Sequence, residues 1–182
     1  SSHSHILDIE DLRSSACVKA GKNTSLIDLG DNILGVYIHS PNNTLSIDVL
    51  AAIRDGIELA EEKYAGLVLC SRGANFSFGA NLKEMMDVVA DKGITAVTSM
   101  CENFQTTSMR LKHRRIPTVA APQGMALGGV CEFVMHCDRV QTGAELYMGL
   151  VEAGVGILPA GAGTKEYAAR ASDWAGDTGN SL

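Results

Sequence analysis

PTVAAPQGMALGGVCEFVMHCDRV, residues 117–140, carries the turn on which the reading of the fold rests. Residues 116–121 form a compact apolar run of strand character, and Gly128 and Gly129 stand where the chain turns into a helix that opens near Gly129. Residues 139–142 then return as another short strand-like run. Strand, tight glycine turn, helix and strand in this order describe one parallel crossover.

Working outward, the same alternation recurs. Within residues 25–39 the apolar side chains of Leu26, Leu29, Ile33, Val36 and Ile38 fall in two short runs around Gly30, Asp31 and Asn32, which predicts a hairpin. Ser46 is placed to cap a helix in which Leu50, Ile53 and Ile57 recur at helical spacing, before Glu61, Glu62 and Lys63 close it. Residues 66–70 predict a buried strand, and residues 72–79 a loop rich in Gly and Asn that leads to a helix from about Asn81. Ile94, Val97, Cys101, Phe104, Ser108 and Leu111 trace one face of a long amphipathic helix. The expectation is an α/β fold in a single domain over residues 25–170, with loose segments at 1–24 and 171–182 and no internal repeat.

Composition narrows the function. With 46% hydrophobic residues the 182-residue chain can build a core, and a formal net charge of −6 opposes the phosphate attraction on which nucleic-acid affinity depends. No apolar stretch reaches the ~18 residues of a membrane span. Five cysteines without a CxxC pair suit a reducing cytoplasm, where the sequons at Asn23, Asn42 and Asn75 carry no meaning.

Chemistry concentrates at two glycine-rich turns. Glu132 follows Gly129 by three residues, and Glu152 lies in the apolar, glycine-rich YMGLVEAGVGILP, an expensive place for an unpaired carboxylate. The pair invites an acid/base reading; the plainer one makes Glu132 a first-turn helix residue and Glu152 a local cap or ion-pair partner. In GANFSFGANLKEM, Gly79 and Ala80 precede a helix, so the Ala80 amide, together with the exposed amides at the helix start by Gly129, could stabilise an oxyanion if the fold brings the two turns together. Ser77 lacks the first glycine of a nucleophile elbow and reads as a loop serine. Glu132 and His136 share a helix face but make only two candidate metal ligands, so no metal site is expected. The basic run KHRR, residues 112–115, reads as a solvated helix end, with contact to an anionic ligand as the alternative.

Three of these stretches resemble the enoyl-CoA hydratase/isomerase (crotonase) family. NFSFGANLKEM is similar to its FxAGADxKEM pattern, PTVAAPQGMALGGVCEFVMHCDRV to PxIAAVxGxALGGGxELAxxCDxx, and YMGLVEAGVGILPAGAGT to FxxPExxxGxxPGxGGT, in the family's order. HSPNNTLSIDV and VEAGVGILPAGAGTKE look most like the hydratase-like region fused to 3-hydroxyacyl-CoA dehydrogenases. The resemblance implies a spiral of ββα units and an acyl-CoA thioester held at its carbonyl by the amides of Ala80 and Gly129. It further implies CoA contacts along Ala80, Asn81, Leu82 and Lys83, with Glu132 and Glu152 as catalytic residues. As a hydratase, Glu132 would deprotonate water and Glu152 would protonate the α carbon.

This sequence departs from the family pattern at four positions. Asn81 stands where the family usually has Asp, Val130 replaces the third glycine, and Leu150 and Val151 precede Glu152 where a polar residue and Pro are common. The chain ends soon after Thr164, which predicts a fragment without the family's C-terminal helical cover, self-associating as a homo-oligomer or fused to a dehydrogenase domain. No cofactor is expected in this chain, and NAD only if such a domain lies outside it, because no GxGxxG follows a strand.

Overall fold

The computed structural model describes residues 8–178. Along the chain run strands β1 (Cys17–Ala20), β2 (Thr24–Asp28), β3 (Ile33–Ile38), β4 (Gly66–Ser71), β5 (Thr118–Ala120), β6 (Gly124–Leu127), β7 (Arg139–Val140) and β8 (Leu146–Gly149). The helices are α1 (Ile9–Ser15), α2 (Ile47–Lys63), α3 (Leu82–Lys92), α4 (Ala96–Lys112), α5 (Gly129–His136) and α6 (Gly163–Thr178). A six-stranded sheet takes the order β1-β2-β3-β4-β5-β7, antiparallel over its first three strands and parallel from β3 onward. β6 and β8 pair in parallel as a separate small sheet.

The hairpin turns where the sequence places it. Asp31 and Asn32 adopt positive φ, which their short polar side chains tolerate, and the Gly30 amide donates to Asp28 Oδ1 at 2.9 Å. Across the sheet, α2 buries Val49, Leu50, Ile53, Ile57 and Ala60, the stripe its spacing predicts, against Leu26, Leu34, Val36, Leu67 and Leu69. Each fully buried aliphatic side chain there contributes roughly 1.5–3 kcal/mol. Ser46 is the N-cap of α2, although its hydroxyl bonds to Asp48 rather than to a helix amide. α4 turns Phe104, Thr107, Ser108 and Leu111 inward; Ile94 lies before the helix and is exposed.

Three expectations change. Residues 9–20 are not loose: Asp8 caps α1, the Tyr37 hydroxyl donates to Glu10 Oε1 at 2.6 Å, and β1 pairs with β2. β1 is exposed along its whole length, so no hydropathy pattern announces it; it is placed by backbone pairing with β2 and by the Lys19 ion pair to Asp55 on α2. At the other end α6 carries helix through 171–178, inside the expected loose tail. The SSHSH leader and residues 179–182 lie outside the described residues. The stretch GMAL, which leads into the Gly128–Gly129 turn and for which no strand is expected, is β6.

Candidate active site

The fold joins the two glycine-rich turns. The Ser77 amide donates to the Met125 carbonyl and the Leu127 amide to the Ser77 carbonyl, both at 3.0 Å, so the 76–80 segment runs beside β6 up to the start of α5. Gly79 fits there because it has no side chain. Its φ is +83°, and a Cβ would sit 2.6 Å from the Leu127 carbonyl oxygen and 3.1 Å from the Gly129 nitrogen. Beyond it, Leu45 bonds to the Gly79 carbonyl and the Asn81 amide, which turns the Ala80 N–H away from Leu45. The Gly129 N–H is a first-turn amide, without an intrahelical acceptor.

Both carboxylates are buried nearby. Glu132, on the first turn of α5, has no exposed surface; its Oε2 accepts from the Gly161 amide at 2.8 Å and its Oε1 from the Gly163 amide at 2.7 Å. Burial pushes its carboxyl above the usual range and the neighbouring Glu152 charge adds to this, while the two amides, which favour the ionised form, oppose it. Glu152 begins a short 3-10 turn (Glu152–Val155), 7% exposed, with its carboxyl group against the backbone of Gly128. Its Oε2 is buried and has no hydrogen-bond partner among the described residues.

Ala80, Gly129, Glu132 and Glu152 line one cavity of about 420 Å³. Its remaining wall is largely apolar, with Leu45, Leu50, Met100, Phe104, Val155 and Ile157 prominent. An apolar cleft with a few convergent polar groups at one end suits a small-molecule site. Phe104, edge-on to Phe133 at a ring distance of 5.0 Å, presses on the Gly129 backbone.

The sequence profile described as enoyl-CoA hydratase/isomerase matches residues 28–173. The chain belongs to this family. Over 149 residues it is 42% identical to a probable 3-hydroxyacyl-CoA dehydrogenase of Bacillus subtilis (strain 168), a match that covers 82% of this chain and 19% of that protein. It superposes on Pseudomonas aeruginosa DspI with a TM-score of 0.72 at 28% identity, covering 84% of this chain and 62% of that one. Against an enoyl-CoA hydratase from Bacillus anthracis the TM-score is 0.71 at 25% identity, covering 80% and 57%. The α/β fold is crotonase-like, and the chain spans only part of the length of each of these relatives.

Within this family member the other sequence-predicted residues divide. Asn81 and Leu82 line the cavity, but the Asn81 side chain also caps α3 by accepting from the Glu84 amide at 3.1 Å. Lys83 is absent from the cavity wall: its ammonium pairs with Asp87 at 2.6 Å on the exposed face of α3. Ser77 is fully buried and accepts from the Gly79 amide at 3.0 Å, the part of a loop serine. The run KHRR is solvated at His113 and Arg115 only. Lys112 pairs with Glu166 at 2.5 Å, Arg114 is buried against Asp138, and exposed Arg115 lies 3.5 Å from Glu61. Among the described residues no group of three His, Cys, Asp or Glu side chains is placed to hold a metal. No described helix is long and apolar enough to cross a membrane.

Sequence reasoning missed the amides of Gly161 and Gly163 as the holders of Glu132. The glycines of PAGAGT were a visible signal, but nothing in their spacing shows that they fold back onto α5.

Proposed function

We propose that this chain adds water across the double bond of 2-enoyl-CoA thioesters to give 3-hydroxyacyl-CoA in fatty-acid oxidation, as one region of a larger enzyme. The observation that carries the proposal is the meeting of two buried carboxylates and two turn amides at one end of an apolar cavity. In this reading the Ala80 and Gly129 amides donate to the thioester carbonyl and take up the charge of the developing enolate, each worth roughly 3 kcal/mol in such a site. Glu132, held by two amides, accepts a proton from water as its oxygen bonds to the β carbon. Protonated Glu152 delivers its proton to the α carbon, so the π bond and one water O–H bond are broken as one C–O and one C–H bond form, and return of the proton from Glu132 to Glu152 restores the site with only water consumed. The kinship to a probable 3-hydroxyacyl-CoA dehydrogenase supports a fused dehydrogenase as the partner that consumes the product. A cytoplasmic setting belongs to the same proposal, and the five free thiols support it.

A second reading, double-bond migration, draws support from one asymmetry. Both oxygens of Glu132 are engaged by backbone, whereas Glu152 keeps Oε2 free to move a proton between carbons by itself. Glu132→Gln and Glu152→Gln decide between them. Hydration requires each to lower turnover of a 2-enoyl-CoA by at least about 100-fold with acyl-CoA affinity little changed. If only Glu152→Gln abolishes migration and Glu132→Gln is silent, the isomerase reading replaces it. If neither matters, the chain is a non-catalytic CoA-binding domain.

A further inference from the structure

Behind Glu132 lies a chain of polar contacts that the chemistry above does not use. His136 sits one turn beyond Glu132 on α5 and is 3% exposed; Ser108, on α4, is fully buried. The Ser108 hydroxyl lies 2.7 Å from His136 Nδ1 and donates to the Gly161 carbonyl at 3.0 Å. Gly161 is the residue whose amide binds Glu132 Oε2. A Cβ at Gly161 would collide with that oxygen, so the backbone here lies directly on the carboxylate.

A hydroxyl has one proton. A carbonyl cannot donate, so the Ser108 proton goes to Gly161, and the contact with His136 requires Nδ1–H as donor. The ring is thereby fixed in one tautomer, with Nε2 bare: it has no hydrogen-bond partner among the described residues and lies 3.7 Å from Glu166 Oε2. That carboxylate is already held by Lys112 at 2.5 Å and Arg170 at 3.1 Å. The carbonyl and the amide of Gly161 are thus gripped from opposite sides, one by α4 through Ser108 and one by α5 through Glu132.

We propose that Ser108, donating to the Gly161 carbonyl and accepting from His136 Nδ1–H, is a positioning residue that holds the Gly161 amide on Glu132 and so fixes the orientation and proton affinity of that carboxylate. The inference rests on the catalytic reading of Glu132 only for its consequence in turnover. The charged and titratable groups in play are few. Glu152 faces Glu132 and Cys131 adjoins it on α5; around His136 stand Lys112 from α4 and Glu166, Lys165 and Arg170 from α6. Burial drives the imidazole down to about 4, so the neutral tautomer prevails at neutral pH. Release of the Gly161 amide removes a bond made to the ionised form of Glu132, so its proton affinity rises.

The test uses the whole chain in two measurements. In the unsubstituted protein, ring 15N shifts of His136 at neutral pH should report Nδ1–H; an Nε2–H ring overturns the proposal without any variant. In Ser108→Ala, 13C-carboxyl titration of Glu132, assigned with Glu132→Gln, should move to higher pH, and kcat with a 2-enoyl-CoA should fall about tenfold, the worth of one net hydrogen bond, with KM little changed. A Glu132 titration unmoved by Ser108→Ala overturns it too. If the titration moves but neither protein turns over an enoyl-CoA, the positioning stands and the hydratase reading fails, so the two failures are told apart.

Discussion

Gly79→Ala is the sharpest test of how the two turns are joined. An alanine Cβ at φ +83° would sit 2.6 Å from the Leu127 carbonyl oxygen and 3.1 Å from the Gly129 nitrogen, and both obstacles are backbone that cannot swing away. Ordinary carbon–oxygen contact needs about 0.5–1 Å more, so the 76–80 segment and the start of α5 must part by that amount. The backbone conformation alone costs about 1–3 kcal/mol for a residue with a side chain, which lowers Tm by roughly 4–8 °C for a loss of about 2 kcal/mol in a chain of this size. The separation acts on the Ala80 and Gly129 amides together, and a misplacement near 1 Å at such a site costs about 100-fold in rate. The expected result is therefore a folded variant with a modest fall in Tm and a fall in kcat of about 100-fold, followed by the loss of conjugated-thioester absorbance of a 2-enoyl-CoA. A Gly79→Ala protein that hydrates at the parent rate, or that melts at the parent temperature, refutes the reasoning.

Burial depresses His136 from 6.5 to about 4, so the unfolded chain binds the extra proton first; its contribution is complete above pH 6.5 and is lost as pH falls towards 4. Unfolding free energies from urea titrations across that window should decline by on the order of 3 kcal/mol, and His136→Gln should flatten the decline; an equal slope in both proteins contradicts the assignment. Glu61, whose side chain is 3% exposed, is held below the usual carboxylate range by Arg110, which bonds it at 2.6 Å, and also accepts from the Arg115 amide. Glu61→Gln should therefore cost about 1–3 kcal/mol in chemical denaturation at pH 7 and much less at a pH low enough to protonate the parent carboxylate. Phe104→Ala should cost about 3–5 kcal/mol and loosen acyl-CoA binding measured by calorimetry, because the ring is both core and cavity wall; unchanged affinity would separate the two roles.

How much of this was legible depended on whether a pattern was local. The hairpin was, since Gly30, Asp31 and Asn32 make a turn whatever surrounds them, and so was α2, whose Leu50, Ile53 and Ile57 mark its buried face. β6 and β8 were not: each has four residues, and their pairing of Gly124 with Leu146 through Leu127 with Gly149 is a tertiary fact with no periodicity to betray it. β1 is exposed at every position and α1 buries none of its residues, so burial gave no signal for either. In the candidate site, two turns and an out-of-place charge singled out Ala80, Gly129, Glu132 and Glu152, the family resemblance gave them their roles, and the fold gathers them around one cavity. Lys83 was named with its segment, but a helix sends successive side chains to different faces, and this one points to Asp87. The grip of Gly161 and Gly163 on Glu132 spans 29 and 31 residues and could be found only in three dimensions.

That span has a consequence for the order in which the protein acquires its chemistry during synthesis. A ribosome that has released the chain as far as Ala160 has released every side chain assigned to the reaction, along with both turn amides. At that length Glu132 has neither of its holders, and Ser108 has no carbonyl to grip. Burying the carboxylate at that length would leave it unpaired. Docking α5 on α4 without Gly161 and Gly163 would bury the Glu132 carboxylate with neither of its two amide partners, a costly arrangement that the segment opening α6 relieves.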